Sequence, residues 1–246
     1  MESIGLLLAE LLVVFLGVSL SFLVENRRER RTERREAHRA LAGITEDLAV
    51  EIPNVEWLAG VYGPTAAAAE KLYLEWHDLP ETSEPPESVL RRIHMGAPYA
   101  PARANYEAAK VSGGLGQIED RDLQSAIIAV FEQQQDFLRS LHRITLEFDF
   151  EFIRRLRPYI SYGPLTNTFE QQTIPGEGTL IGEIAFLPEG ALQLRVDEAT
   201  RNNLYIMALF RRHFSVQLQK QLVTMRELQQ RLQHALAAAG VPARTE

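Results

Sequence analysis

The chain of 246 residues contains no cysteine, which removes disulfides, iron–sulfur clusters, thiolate zinc sites, covalent c-type haem and cysteine nucleophiles from consideration. Lysine is almost missing: Lys71, Lys110 and Lys220 stand against 23 arginines. Schiff-base chemistry therefore has few candidates, and the arginine excess reads as coding-sequence base composition rather than phosphate recognition. Catalytic spacings are missing as well. The six histidines, at 38, 77, 94, 142, 213 and 234, have no partner histidine three or four positions away and complete no Glu-x-x-His pair, so zinc and di-iron sites are not expected. Gly-x-Ser-x-Gly and His-Glu-x-x-His do not occur. Gly113-Gly-Leu-Gly116 is glycine-rich but lacks a Gly-Lys-Ser/Thr ending, so it reads as a helix connection and not a phosphate loop. The pairs Glu147/Glu151 and Asp149/Glu151 read as a solvated acidic helix face rather than acid–base partners. No catalytic residue, cofactor or metal is expected, and the chain is not read as an enzyme.

What is present is a hydrophobic content of 46% with 24% charged residues, enough to bury a core as one ordinary-sized unit or two small ones. The most informative stretch is Ile4 to Val24, IGLLLAELLVVFLGVSLSFLV, with a single ionisable group, Glu10. At about 1.5 Å per residue it is long enough to cross a hydrocarbon layer of about 30 Å. A cleaved signal peptide would start basic and have a shorter apolar run, whereas this chain starts Met1-Glu2-Ser3 and the run ends in Glu25-Asn26-Arg27-Arg28. A retained transmembrane helix is the reading. Residues 25–39 hold seven arginines against four glutamates, a net +3. By the bias of basic flanks towards the cytoplasm, the amino terminus is expected to face the periplasm or exterior and the remainder the cytoplasm.

Subtracting that +3 from the overall −7 leaves −10 for the rest of the chain, which opposes nucleic-acid binding. Arg27, Arg28, Arg30, Arg31, Arg34 and Arg35 are instead expected to meet anionic lipid headgroups, on a solvated helix laced by four-apart ion pairs. Glu10 has two readings: a proton relay or partner-subunit contact, or a neutral or headgroup-reaching glutamate that positions the helix. Gly5, Ala9, Gly17 and Ser21 form small-xxx-small spacings that allow another helix to approach. The span has no histidine, hence no imidazole for haem or a chlorin.

The expected fold is all-α: the transmembrane helix continues into a juxtamembrane helix, followed by an antiparallel bundle with two long helices and an irregular loop. The corresponding divisions are an anchor at 1–24, a basic helix at 25–52 and a cytoplasmic bundle at 53–246, with an irregular insert at 158–196. The first helix should pass Leu41, Ile44 and Leu48 and stop at Pro53. Gly63-Pro64 ends a short stretch, and Thr65 caps the alanine-rich helix TAAAAEKLYLEWHD. A short helix through Val89, Leu90 and Ile93 follows the linker LPETSEPPE. Arg103 to Ser112 is helical and closes at Gly113-Gly114.

A long helix is expected from about Asp120 to Arg157. Leu123, Ile127, Val130, Phe137, Leu141, Ile144 and Phe148 make a seven-residue seam, with Gln134 as its polar exception. Leu146-Glu-Phe-Asp-Phe-Glu-Phe152 alternates with period two but stays in phase with that helix. Short strands are expected near Thr179–Ile184 and Leu192–Val196, and a second long helix from Asp197 or Thr200 to Ala239.

Two segments carry a resemblance. Ala9-Glu-Leu-Leu-Val-Val-Phe-Leu-Gly17-Val, an E-x-L-V-V-x-x-G pattern from Glu10, precedes a charged helix. Tyr106-Glu-Ala-Ala-Lys-Val-Ser-Gly113-Gly-Leu-Gly-Gln-Ile118-Glu-Asp-Arg-Asp-Leu123 sets an aromatic helix before a Ser-Gly break and an Asp-x-x-Leu helix start. Over roughly residues 5–150 the chain resembles a widespread family of bacterial single-pass membrane proteins with no defined activity. The tryptophan common near the end of that family's anchor is replaced here, around Val24 to Arg27. The functional expectation is a non-catalytic accessory or scaffold subunit. Its partners would be membrane lipids and other membrane-protein subunits, in a larger complex such as a photosynthetic reaction centre with its antenna or a respiratory enzyme. The alternative is a membrane-anchored homodimeric sensor joined through the Leu123–Phe148 seam.

Overall fold

The computed structural model describes residues 2–79, 81, 86–93, 99–162 and 184–239, and the side chains within them except 2–14, 87, 88, 91, 92 and 162. Helix dominates. Helix α1 spans Glu2–Leu74, with a 3-10 turn at Trp76–Asp78, and is followed by α2 (Pro86–Ile93) and α3 (Ala104–Val111). A 3-10 turn at Gly114–Gln117 leads into α4 (Arg121–Ile128), a π-helical segment (Ala129–Gln134) and α5 (Gln135–Leu156). Strands β1 (Ile160–Tyr162) and β2 (Ile184–Phe186) pair antiparallel, with Ile160 opposite Phe186. Helices α6 (Gly190–Arg195) and α7 (Glu198–Ala238) complete the chain.

The first helix does not stop at Pro53, and Gly63-Pro64 does not end a stretch; α1 carries both prolines in its interior. A proline removes the N–H that would reach the carbonyl four residues back, here those of Ala49 and Gly60. All four residues lie on the exposed side of the helix, where water can take the freed carbonyls. The opposite face explains why the helix persists. Ala37, Ile44, Glu51, Leu58, Thr65 and Leu72 recur every seven residues, as do Leu41, Leu48, Val55, Tyr62, Ala69 and Trp76, and all twelve are buried. That uninterrupted a/d pattern outweighs two helix breakers whose cost falls on the wet side. Thr65 accordingly caps nothing: it sits inside α1, and its hydroxyl donates to the Tyr62 carbonyl at 3.2 Å.

Two compact units emerge, with their first boundary inside α1, a helix that also runs unbroken past residues 24 and 52 of the expected 1–24, 25–52 and 53–246. The first unit takes the described residues of Met1–Asp47, Arg103–Ala126 and Gln229–Glu246. Its core includes Leu41, Ile44, Tyr106, Leu115, Ile118, Leu123 and Leu232. The Asp47 carboxylate closes the start of α3, accepting from the Tyr106 backbone N–H at 2.8 Å, the Asn105 backbone N–H at 3.2 Å and the Asn105 side-chain amide at 2.9 Å. Asp120 does the same for α4, accepting from the Leu123 N–H at 2.9 Å. Between these helices Gly113 takes φ +79°, the left-handed turn that favours glycine.

The second unit comprises the described residues of Leu48–Ala102 and Ile127–Leu228. It is a helical bundle in which Tyr62 of α1 meets Phe214 of α7 while Tyr73 meets Tyr205, an antiparallel progression. Phe148 of α5 stacks on Phe210 of α7 at 4.6 Å. One end is closed by Trp76, Leu79, Leu90, Phe152, Leu156, Ile160, Ile184, Leu194, Leu204 and Met207. Leu192–Val196 is not a strand: Gly190–Arg195 forms helix α6, because Gly190 lets the backbone pass so close that a Cβ there would stand 2.3 Å from the Tyr159 carbonyl oxygen. Of the other expected strand, 179–183 lie outside the described residues, and Ile184 begins β2.

Candidate functional site

Two regions collect the features that a function could use. The first is the amino-terminal part of α1. Phe15, Leu16, Val18, Leu20, Phe22, Leu23 and Val24 are all exposed, Phe22 at 73% and Val24 at 61%. On a single helix these positions point in every direction, so no face of the segment is covered by the chain itself. At about 1.5–3 kcal/mol for each large apolar side chain taken out of water, the uncovered segment forgoes burial free energy on the order of 10 kcal/mol. Gly17 has nothing within 4 Å of where a Cβ would stand, and Ser21 donates its hydroxyl to the Gly17 carbonyl at 2.9 Å. These two small residues therefore form an open notch on the helix surface. Gly5, Ala9 and Glu10 lie in the helical backbone, but their side chains are outside the described residues.

Beyond Val24 the same helix carries Arg27, Arg28, Arg30, Arg31, Arg34 and Arg35, all exposed. Arg27, Arg28, Arg31 and Arg35 line one shallow cleft with Thr32, and Arg30, Arg34 and Arg121 line another with Gly116 and Ile118. Arg34 pairs with Glu119 at 3.6 Å instead of with a glutamate of its own helix. Both partners are largely exposed, so this pair contributes little. Among the described residues, which omit the side chains of 2–14, no helix is long and apolar enough to cross a membrane. Ile4–Val14, half of the expected span, falls outside that set. No family model, curated protein or solved structure matches the chain. The site must therefore be read from its own chemistry.

The second region is the polar interior of the second unit. Glu51, in an a position of α1, accepts from the Tyr99 hydroxyl at 2.9 Å and from the Ala102 backbone N–H at 2.8 Å. His142 is 6% exposed and ringed by Tyr62, Tyr99 and Phe214, at centroid distances of 6.1, 6.2 and 5.4 Å. Two turns further along α5, Asp149 Oδ1 accepts from the Arg211 Nε–H at 2.8 Å, both side chains being almost fully buried. Burial pushes the Asp149 carboxyl above its ordinary range, while the attraction and hydrogen bond of Arg211 and the nearby His142 pull against that rise. Asp149 is thus not part of a solvated acidic face with Glu151. Asp149 and Arg211 tie α5 to α7 and His142 packs among aromatic rings, contacts that suit the setting of helix register. Among the described residues no group of three or more metal-ligating side chains converges.

The expected seam of α4 and α5 is rotated along part of its length. Leu123, Ile127 and Val130 are buried, and Leu141 remains so. Phe137, however, is 50% exposed, and Ile144 and Phe148 are only partly buried. The buried positions after the π-helical segment are Gln135, Leu138, Leu141, His142, Thr145, Asp149, Phe152 and Leu156. A π-helical turn inserts a residue relative to the α-helix, which moves the buried stripe one position along the sequence. Heptad indexing of α1 and α7 supplies the signal for the buried polar groups: Glu51 and Thr65 fall in the α1 frame, and Arg211 and Gln221 fall in the α7 repeats Leu204-Arg211-Leu218-Met225-Leu232 and Thr200-Met207-Phe214-Gln221-Leu228.

Proposed function

We propose that the chain is a membrane-anchored helical scaffold: a non-catalytic subunit held in a bacterial inner membrane by residues 4–24. In this reading its amino terminus is periplasmic and its helical units are cytoplasmic, where they associate with a larger membrane complex. The observation that carries the reading is the run Phe15–Val24, apolar and exposed on every side of one helix, that passes without a break into an arginine-rich segment. An all-round apolar helix needs an all-round apolar environment. Arginines immediately beyond it suit an anionic leaflet and set its orientation. The open notch at Gly17 and Ser21 suits the close approach of a second helix in the bilayer.

The absence of native cysteine makes a direct test available. Single-cysteine variants Ser3→Cys and Thr32→Cys are exposed to a membrane-impermeant maleimide before and after rupture of the inner membrane. Ser3→Cys is expected to label from the periplasmic side, and Thr32→Cys only after rupture. Recovery of the wild-type chain in the soluble fraction would refute the anchor. In parallel, solubilisation in mild detergent, size separation and mass spectrometry are expected to find stoichiometric foreign subunits. Migration solely as a homodimer would replace the scaffold reading with the signalling one.

A further inference from the structure

Along α1 the positions Gly17, Ser21, Val24, Arg28, Arg31 and Arg35 alternate steps of four and three, the spacing of a helix–helix seam. All of them are exposed. They lie on the side of the helix away from Ala37, Leu41 and Ile44, which enter the core of the first unit. The described chain thus leaves this seam uncovered over its whole length.

Charge beside the seam is sorted by sign. Arg27, Arg31, Arg35 and Arg39 follow one another four apart, and so do Glu25, Glu29 and Glu33. Neighbours one turn apart are therefore alike, an arrangement that weakens a lone helix, and the four-apart ion pairs expected of this segment are absent. Among the described residues Arg27, Arg28, Arg31 and Arg35 pair with no carboxylate, and no carboxylate lines the cleft that they form with Val24 and Thr32. Their charge is left for something outside the chain to balance.

Height along the helix decides between lipid and protein. At about 1.5 Å per residue, Arg28 stands about 6 Å past Val24, Arg31 about 10 Å and Arg35 about 16 Å, against a headgroup layer of roughly 5–8 Å. Lipid phosphates meet Arg28, whereas Arg35 stands at about twice their depth. A second copy of the chain is also unsuitable. Anchored at the same height and packed parallel on this side, it would set Arg28, Arg31 and Arg35 against themselves.

We propose that the seam seats one helix of a foreign membrane subunit, parallel to α1, apolar beside Gly17, Ser21 and Val24 and carrying glutamate or aspartate beside Arg28, Arg31 and Arg35. The inference rests on the anchored reading and gives the partner its chemistry: a transmembrane helix that continues without a break into an acidic cytoplasmic extension. Gly17 and Ser21 let the two backbones approach within the bilayer. The charge pairs beyond it set direction and register.

The test places the full-length chain, donor-labelled through Ser3→Cys, in phosphatidylcholine vesicles with synthetic peptides. Each peptide has an acceptor at its amino terminus, a span of about 20 leucines and alanines, and a helical extension with Glu, Gln or Lys at the seam positions. Energy transfer is expected to saturate with the Glu peptide and to be weaker by about tenfold or more with the Gln peptide. Combining Arg28→Gln, Arg31→Gln and Arg35→Gln should abolish that preference, and the corresponding three changes to Glu should transfer it to the Lys peptide. All three arginines are exposed, so their replacement leaves the core intact, which circular dichroism checks. Equal affinity for the Glu and Gln peptides, or a Glu preference kept by the triple Gln variant, would overturn the proposal. So would loss of the preference once about a third of the lipid is phosphatidylglycerol, an outcome that assigns the arginines to headgroups. Vesicle flotation tells the two failures apart: a chain that floats without preferring the Glu peptide loses the seam alone, and one that does not float loses the anchor with it.

Discussion

Replacing Arg211 by methionine separates a register-setting ion pair from a merely packed one. Arg211 is 1% exposed, and the Asp149 it holds is 4% exposed. Asp149 Oδ2 and Arg211 Nη1 have no other partner among the described residues. Loss of the guanidinium therefore strands a carboxylate in an interior that already disfavours its charge. Breaking a buried pair from one side costs about 3–5 kcal/mol, a drop of roughly 6–20 °C in Tm for a chain of this size at about 2–4 °C per kcal/mol. Replacing both members, as Asp149→Val with Arg211→Met, should recover most of the loss, because neither partner then stays buried and unpaired. The deficit of the single variant should also depend on pH. A carboxyl whose folded pKa lies above its unfolded value near 3.9 binds its proton more tightly in the folded state, so its contribution is intact below the unfolded pKa and is lost as pH rises through the folded one. Without Arg211 that upward shift grows, and the deficit should shrink on going from about pH 8 to pH 5. Urea and thermal unfolding followed by far-ultraviolet circular dichroism in mild detergent measure all three variants. A double variant no more stable than Arg211→Met, or a deficit unchanged with pH, would refute the reasoning.

Asp47→Ala removes the acceptor of three hydrogen bonds at the start of α3 and should cost about 1–3 kcal/mol; hydrogen exchange of the Asn105 and Tyr106 amides should accelerate selectively. Pro53→Ala and Pro64→Ala restore backbone donors on the exposed face of α1 and should each raise stability by up to about 3 kcal/mol, less whatever the more flexible unfolded chain regains; a lower Tm in both would show that the prolines serve the native helix. Asp197 accepts from the Thr200 N–H at 3.0 Å, the Thr200 hydroxyl at 2.7 Å and the Tyr159 hydroxyl at 2.7 Å. Desolvation pushes its carboxyl up, but these hydrogen bonds from Thr200 and Tyr159 prevail and hold it below its ordinary value. The stability it adds is complete above the unfolded pKa and is lost as pH falls through the folded one, so the wild type should lose its advantage over Asp197→Asn in acid unfolding below about pH 4.

The helical content was legible because amphipathic spacing survives in single segments: α3, its Gly113 turn and the bounds of α7 follow directly from it. What escaped was decided by competition between signals. At Pro53 and Pro64 a strong local breaker met a heptad frame that only becomes visible when counted across both prolines, from Ala37 to Trp76. In α5 the apolar spacing runs through Phe137 and Phe148, whereas the π-helical segment turns Gln135 and Asp149 inward. No residue type announces a π-helical turn, so hydrophobicity alone favours the wrong stripe. The Asp149–Arg211 pair was hidden for the same reason. Each side chain reads as solvated until its partner, 62 positions away, is brought alongside.

A continuous helix between an apolar segment and a folded core is a ruler as well as a tether. From Val24 to Ala37, the first residue of α1 buried among its described side chains, is thirteen residues, about 20 Å at 1.5 Å each. The headgroup layer on one side of a bilayer takes up roughly 5–8 Å of that. In the anchored reading Arg27 and Arg28 stand among the headgroups, and Arg30 to Arg35 follow within about a Debye length, roughly 8–10 Å, of the leaflet's charge. The core of the first unit then begins about 12 Å clear of the polar surface, on a helix with no interruption between Phe15 and Asp47. Such a stand-off suits a subunit that must contact cytoplasmic faces of neighbouring membrane proteins, since it sets the height at which those contacts are made. The acidic balance of the remaining chain opposes collapse onto an anionic leaflet. In the anchored reading, the opposed charges of the arginine block and the rest of the chain would act together with the unbroken helix to hold the first unit off the membrane while keeping it attached.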